Sequence, residues 1–374
     1  MNSIYDAIIV GGGVIGGSIA FQLAKRGKKV LLLEKDRLAS KASSAAAGML
    51  GAQAELDADN PLFTLASRSR GMFPALSKEL KDISGIDIEL VNKGMFKVAL
   101  TDDQVAELKK MTKVQQDAGL EAEWLSTAEI RKTEPLLSDE IKGGMFIPGD
   151  GQVSATSLSL AFTKSAAALG VDIKEFVHVF DLRTENGYVK GVSTNIGEFS
   201  SENVIVASGA WSAFLLEKSG INLDTYPIKG ECFSVLTDRP LLEKTIFSHG
   251  CYLVPKVGGR IIVGATVKAN TFDQKVSMEG ISTLIEKATQ LLPAIKETEW
   301  EKTWAGIRPQ TGDGLPYFGE HPAYKGLFIA TGHFRNGILL SPITGVLIAD
   351  IVEGKTNPEW SAFRLERSIQ TQFS

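Results

Sequence analysis

Asp6-Ala-Ile-Ile-Val-Gly11-Gly-Gly13-Val-Ile-Gly16, then a helical stretch to Gly27, then Lys28-Lys-Val-Leu-Leu-Leu-Glu34-Lys35 make up residues 6 to 35. A short apolar run enters Gly11-x-Gly13-x-x-Gly16, whose glycines allow a tight turn, close backbone approach to a pyrophosphate, and close packing of helix on sheet. The helix N-terminus then faces the anion. Glu34 ends the second apolar run, about 20 residues beyond the glycines, where a carboxylate bonds a ribose hydroxyl and would repel a 2′-phosphate. The glycine pattern alone also describes an ordinary turn. The flanking strands, the helix length and the terminal acid select an adenine dinucleotide site.

The rest of the chain bounds what such a site can serve. At 374 residues, 44% of them hydrophobic and 22% charged, the chain has an ordinary globular composition and enough length for two domains. A net charge of −4 offers no bulk attraction to nucleic acid or an anionic membrane, so a small-molecule ligand is expected. The apolar stretch from Ala7 to Ala24 follows no basic residue and is interrupted by five glycines, which fits a nucleotide-fold strand and helix rather than a signal peptide or anchor. Two cysteines, Cys232 and Cys251, are too few for a disulfide framework and favour a reducing compartment, so a cytoplasmic protein is expected.

Further along, Val105, Leu108, Met111 and Val114 repeat at helical spacing, starting after a cap at Asp102 or Asp103 and stopping before Gly119. Ser126-x-x-Glu129 reads as a capping box for a short helix ending at Glu134-Pro135. A helix over Ser157 to Leu169 ends at Gly170 and feeds an extended stretch around Val171 to Phe180. Asn203 to Gly209 is a buried strand closing on glycine. From Tyr226 to Val267 short β runs dominate (Glu231 to Leu236, Tyr252 to Pro255, Ile261 to Val263), before a helix from Ile281 to Ile295. Gly326 to Gly354 returns to strand, glycine turn and helix. The fold class is therefore α/β: a Rossmann-type nucleotide domain from residues 1–90, 145–225 and 308–374, with an inserted antiparallel-sheet substrate domain from 91–144 and 226–307.

Four further segments carry chemistry. Ser43-Ser44-Ala-Ala-Ala47-Gly48-Met49-Leu-Gly-Ala52 lets backbone pass close to a flat ligand, and its hydroxyls can bond phosphate or ribitol; a tightly packed helix start is the alternative. Gly332-His333-Phe334-Arg335-Asn336-Gly337-Ile338-Leu339 closes a strand and opens a helix whose N–H groups suit negative charge. A second anion site at the far end of the chain exceeds what NAD requires and points to FAD. Arg308, in Trp304-Ala-Gly-Ile-Arg308-Pro309, is placed to fork a carboxylate, or else to pair with an acid at the domain seam. Tyr252 can add a hydroxyl to the same carboxylate or simply belong to the core. No metal site is expected, since the four histidines are scattered and neither Cys-x-x-Cys nor His-Glu-x-x-His occurs. Gly-x-Ser-x-Gly is also lacking, which leaves flavin redox chemistry rather than hydrolysis.

Together the glycine loop, Ser43 to Ala52, Lys229-Gly-Glu231-Cys, Ala305-Gly-Ile-Arg308-Pro and Gly332-His-Phe-Arg-Asn-Gly-Ile-Leu resemble the FAD-dependent amine oxidases of the D-amino-acid-oxidase superfamily over nearly the whole chain. The strings are most like those of its glycine-oxidising, thiamine-pathway branch. The resemblance implies that Val14, Ile15, Glu34, Lys35, Ser43, Ser44, Ala47, Gly48 and Met49 line FAD, with Val179 on the adenine side and His333 to Leu339 at the flavin. It implies that Arg308 binds the substrate carboxylate, with Tyr252 and Arg335 around it. It further implies oxidation of glycine, sarcosine and D-alanine with O2 as acceptor and H2O2 as product, in a homotetramer. Hydride transfer to the flavin without a side-chain base is the expected mechanism, and because neither cysteine lies in the C-terminal flavin segment the flavin is expected to be non-covalent. Thiazole synthase is the implied partner receiving the imine. Gly250 and Gln53 stand where the family carries histidines, and Val267 where a methionine is expected, which bears on substrate preference. The competing readings are a sarcosine oxidase, a D-amino-acid dehydrogenase, and a flavin-binding subunit inactive outside a complex.

Overall fold

The computed structural model describes residues 5–55, 60–356 and 358–367. At the centre of one nine-stranded sheet, Ala7–Val10 pairs in parallel with Val30–Leu33 on one side and Val204–Val206 on the other. Asp172–Lys174 and Tyr324–Thr331 extend the parallel run at its two sides. The three central strands, Ala7–Val10, Val30–Leu33 and Val204–Val206, are buried on both faces, which is why they read as continuous apolar runs. Alternate side chains still divide between two cores. Ala7, Ile9, Val30 and Leu32 face one, and Ile8, Val10, Leu31 and Leu33 the other.

The first of these faces is covered by the helices Val14–Lys25, Ala155–Ala168 and Gly337–Val352. A fourth helix, Pro61–Ser84, packs over the last two and has no counterpart in the sequence reading. Its signals were present: Asn60 caps it through Leu62 N–H at 2.8 Å, Pro61 opens it, and Gly85 closes it in the left-handed region. Pro74 and Gly71 inside it dilute the helical pattern.

A second nine-stranded sheet runs in the order Lys268–Ala269, Thr225–Leu236, Arg260–Gly264, Cys251–Pro255, Thr245–Ser248, Met95–Ala99, Gly143–Ile147, Glu123–Leu125, with Glu299–Thr311 also pairing on Thr225–Leu236. It is not wholly antiparallel, as expected from sequence, because Thr245–Ser248 lies parallel to Met95–Ala99. Those strands are joined through the nucleotide-type sheet rather than by a hairpin, so no short turn dictates their direction. The expected segment limits also cut through strands. Gly143–Ile147 carries the second sheet past residue 144, and Glu299–Thr311 carries it past 307. Helix Met278–Leu291 packs on this sheet in a third core.

Local signals fare well. Ser126 and Glu129 form the capping box on helix Thr127–Thr133. The cap of helix Asp102–Asp117 is Thr101, one residue before the expected aspartates, which instead occupy the first turn and complement the helix dipole. Helix Ala155–Ala168 starts two residues earlier than expected because Ser154 caps it. The helix expected to reach Ile295 stops at Leu291, where Pro293 opens a separate 3-10 turn.

Candidate active site

A cavity of about 700 Å³ opens at the carboxyl ends of the parallel strands, where Val10, Leu33, Ala207 and Thr331 line it, and reaches across to Arg308 and Tyr252 on the second sheet. Crevices at this end of an open parallel sheet are the usual place for a ligand.

At one end, Gly11, Gly13, Val14, Ile15, Glu34, Lys35 and Val179 line the cavity. Gly11 takes φ +116°, and a Cβ there would overlap the Ala207 carbonyl. Gly16 does not reach the cavity. A Cβ on it would strike the Gly11 carbonyl, so its part is to seat the helix against the turn. The Glu34 carboxylate accepts Gly12 N–H at 2.7 Å and Asp36 N–H at 2.8 Å, which fixes its orientation beside the glycines. Ser43 Oγ accepts Val14 N–H at 2.9 Å, standing at the helix N-terminus where Gly13 offers no capping side chain.

Along the middle, Ser43, Ala47, Gly48 and Met49 face the cavity. Ser44 does not. Its hydroxyl turns back to the Lys41 carbonyl at 3.1 Å and borders a neighbouring cavity. Successive residues of the short helix Ala42–Ala45 diverge around its axis, and Ser44 falls on the side away from the cavity.

The C-terminal segment contributes His333, Phe334, Arg335, Gly337 and Ile338 to the lining. Asn336 and Leu339 do not line it. Asn336 N–H closes the turn on His333 O at 2.8 Å, and Leu339 points into the core, its carbonyl accepting Ser69 Oγ at 2.6 Å. Asn336 caps helix Gly337–Val352 with no side-chain bond, so first-turn N–H groups are free for an acceptor in the cavity. His333 is buried, shares a hydrogen bond between Nε2 and Thr344 Oγ1 at 3.2 Å, and burial lowers its pKa to about 3. It is therefore a neutral imidazole, and positive potential at this wall comes from the helix terminus, the Arg335 charge being offset by its partner Glu55.

Arg308 sits on the long strand Glu299–Thr311, whose partner strand places Gly230 beneath it. A Cβ at Gly230 would overlap the guanidinium, so the glycine makes room for it. Arg308 Nη1 donates to the Thr266 carbonyl at 3.4 Å. Among the described residues no carboxylate lies within ion-pair distance, which removes the domain-seam pairing considered from sequence. Arg335 differs: its Nε pairs with Glu55 at 2.7 Å, and its guanidinium lies 5.6 Å from the Phe247 ring centre. Tyr252 is buried, with its hydroxyl 3.5 Å from Cys232 Sγ. Burial, followed by the Cys232 thiol, pushes its phenol well above the ordinary value against the pull of Arg308 and Arg335, so it remains an O–H.

Sequence reasoning passed over Gly230, Cys232, Phe247 and Glu55, all at or beside this wall. Only the string Lys229-Gly-Glu231-Cys, noted for its resemblance, signalled part of it. Gly250 and Val267 line the cavity, whereas Gln53 bonds Gln115 and Arg70 away from it.

The family model described as "DAO: FAD dependent oxidoreductase" matches residues 6–351, and the chain belongs to that family of FAD-dependent oxidoreductases. It is 48% identical over 373 residues to "Glycine oxidase" of Geobacillus kaustophilus, covering 99% of this chain and 98% of that protein. The crystal structure of the Geobacillus kaustophilus protein superposes with a TM-score of 0.94, covering 97% of this chain and 98% of that one. A relative named "Bifunctional protein ThiO/ThiG", from Trichormus variabilis, is 36% identical over 368 residues, covering 97% of this chain but 55% of that protein. FAD fits the donor set on view: a bare glycine turn, an oriented Glu34 carboxylate and a helix N-terminus at each end of the cavity.

Proposed function

We propose that this protein is a glycine oxidase, deaminating glycine and small amines such as sarcosine and D-alanine to the imine and 2-oxo acid, with O2 as acceptor and H2O2 as product. The observation that carries this reading is the Arg308 guanidinium, facing the cavity beside Tyr252 with no carboxylate partner among the described residues. A bidentate guanidinium is the natural receptor for an amino-acid carboxylate. FAD, when bound, supplies the two-electron acceptor for the amine carbon.

Arg308 holds the substrate carboxylate, and Tyr252, kept protonated by burial, donates its O–H to the same group. Gly11, Gly13, Val14, Ile15, Glu34, Lys35, Ser43, Ala47, Gly48, Met49 and Val179 hold the cofactor, with His333, Phe334, Arg335, Gly337 and Ile338 along its redox-active end. His333 stays neutral and removes no proton from an ammonium at neutral pH, so the substrate amine enters deprotonated and no side-chain base acts. Gly250 and Val267 line the pocket and tune which amine fits.

The reading extends to thiamine biosynthesis, where the imine feeds thiazole formation by a thiazole synthase. The bifunctional ThiO/ThiG relative, of which this chain spans 55%, supports that coupling. A cytoplasmic homotetramer with non-covalent FAD completes it, neither cysteine lying within residues 332–339. No helix among the described residues is long and apolar enough to cross a membrane.

The test is anaerobic mixing of purified holoprotein with glycine, sarcosine and D-alanine in turn, following flavin absorbance before and after air is admitted. Bleaching by glycine with recolouring and peroxide in air is expected. Bleaching only by bulkier D-amino acids, or no recolouring in air, identifies a dehydrogenase; no bleaching at all identifies a subunit that needs a partner.

A further inference from the structure

The pair Lys229 and Glu231 lies almost out of reach of water, each 4% exposed, on the strand that backs Arg308. Their ammonium and carboxylate are 3.0 Å apart. A buried ion pair contributes little net stability against apolar residues of similar size, so its presence calls for a structural or functional account. Lys229 also bonds the Lys275 carbonyl and approaches Asp273 at 3.4 Å. Glu231 accepts Ser277 N–H at 2.9 Å and Ser277 Oγ–H at 3.1 Å, gripping the residue that caps helix Met278–Leu291.

The same carboxylate accepts the Thr266 hydroxyl at 3.3 Å. Thr266 is fastened to residue 231 twice more: its Oγ1 accepts Glu231 N–H at 2.9 Å, and its N–H donates to the Glu231 carbonyl at 3.2 Å. The remaining polar group of Thr266, its carbonyl, accepts Arg308 Nη1. Lys229, Glu231, Thr266 and Arg308 thus form one continuous chain of polar contacts, and Gly230 between the first two leaves the space the guanidinium fills.

We propose that Glu231 is a positioning residue for the carboxylate clamp: anchored by Lys229, it fixes Thr266 so that the Thr266 carbonyl aims the Arg308 guanidinium into the cavity. This rests on Arg308 as the carboxylate receptor. Glu231 does not itself line the cavity. Its effect is on the fraction of molecules whose guanidinium is already aimed, and apparent affinity falls by that fraction.

Binding of acetate to the holoprotein, measured by calorimetry and by the flavin spectrum, reads the clamp without turnover. Glu231→Gln, which keeps the size and breaks the ion pair, is expected to weaken acetate binding about tenfold, as when the aimed fraction falls to roughly one tenth. Flavin content should be unchanged, and KM for glycine should rise by the same factor while kcat holds. Thr266→Val, which leaves the Lys229 and Glu231 pair intact, should act in the same direction and serves if Glu231→Gln does not fold. Thr266→Ser, retaining the hydroxyl, should restore wild-type affinity. Acetate affinity within twofold of wild type in both Glu231→Gln and Thr266→Val, while Arg308→Ala weakens binding about a hundredfold, overturns the proposal alone. Unchanged binding in Arg308→Ala overturns the receptor reading on which it rests.

Discussion

Gly230 lies directly beneath the Arg308 guanidinium, in the space where any other residue would place a Cβ. The two sit on neighbouring antiparallel strands, so the backbone cannot move apart without breaking the longest ladder in the second sheet. Gly230→Ala should therefore displace the flexible guanidinium rather than the strands. Steady-state kinetics should show KM for glycine up by about tenfold or more, and thermal unfolding a loss within about 1 kcal/mol, the small end of overpacking costs.

Arg308→Lys keeps the charge and loses the planar fork. If the guanidinium binds the substrate carboxylate through two parallel bonds, losing a contact of roughly 3 kcal/mol in Arg308→Ala raises KM about a hundredfold, with Arg308→Lys intermediate. Flavin content after purification should be that of wild type in both. Tyr252→Phe, which removes one neutral donor, should cost about tenfold or less.

Gly16→Ala sets a Cβ against the Gly11 carbonyl, and both partners are backbone. The helix Val14–Lys25 must then lift off the glycine turn. Loss of bound flavin is expected together with destabilisation of about 1 to 3 kcal/mol, read by the absorbance of the purified protein and by denaturant unfolding.

His333 carries a pH signature. Its folded pKa, lowered by burial to about 3, lies below the unfolded value of about 6.5, so between these values the unfolded chain binds the extra proton. Its contribution to stability is complete above about 6.5 and is lost as pH falls toward 3, at about 1.4 kcal/mol per pH unit. Unfolding of the apoprotein measured from pH 7 to 5 should show this slope in wild type and a correspondingly flatter one in His333→Asn. An equal slope in both would show that His333 does not titrate differently in the folded state.

Much of the fold was legible because its signals are local. The strand at Ala7, the glycine turn and Glu34 fall within one unit whose dimensions follow from strand rise and helix pitch, and the capping box at Ser126 is complete within four residues. The helix Pro61–Ser84 was missed because Gly71 and Pro74 break its pattern while the core it joins comes from distant segments. Ser44, Asn336 and Leu339 belonged to segments that do reach the cavity, yet point elsewhere: adjacent helical residues diverge by about 100°, and Asn336 is held in the turn before its helix.

The sequence by itself determined that this chain carries a dinucleotide-binding unit, and it marked Arg308 and the segment His333 to Leu339 as candidates for its chemistry, because composition, spacing and helix ends act over a few residues. Only the tertiary structure decided that Arg308 has no acid partner among the described residues, that Arg335 already holds Glu55, and that Lys229 and Glu231 stand behind the clamp. Those facts depend on which strands become neighbours. The pairing of Thr225–Leu236 with Glu299–Thr311 joins residues 63 to 86 positions apart, and the burial that determines whether a charge is paired, neutral or exposed exists only once that pairing has formed.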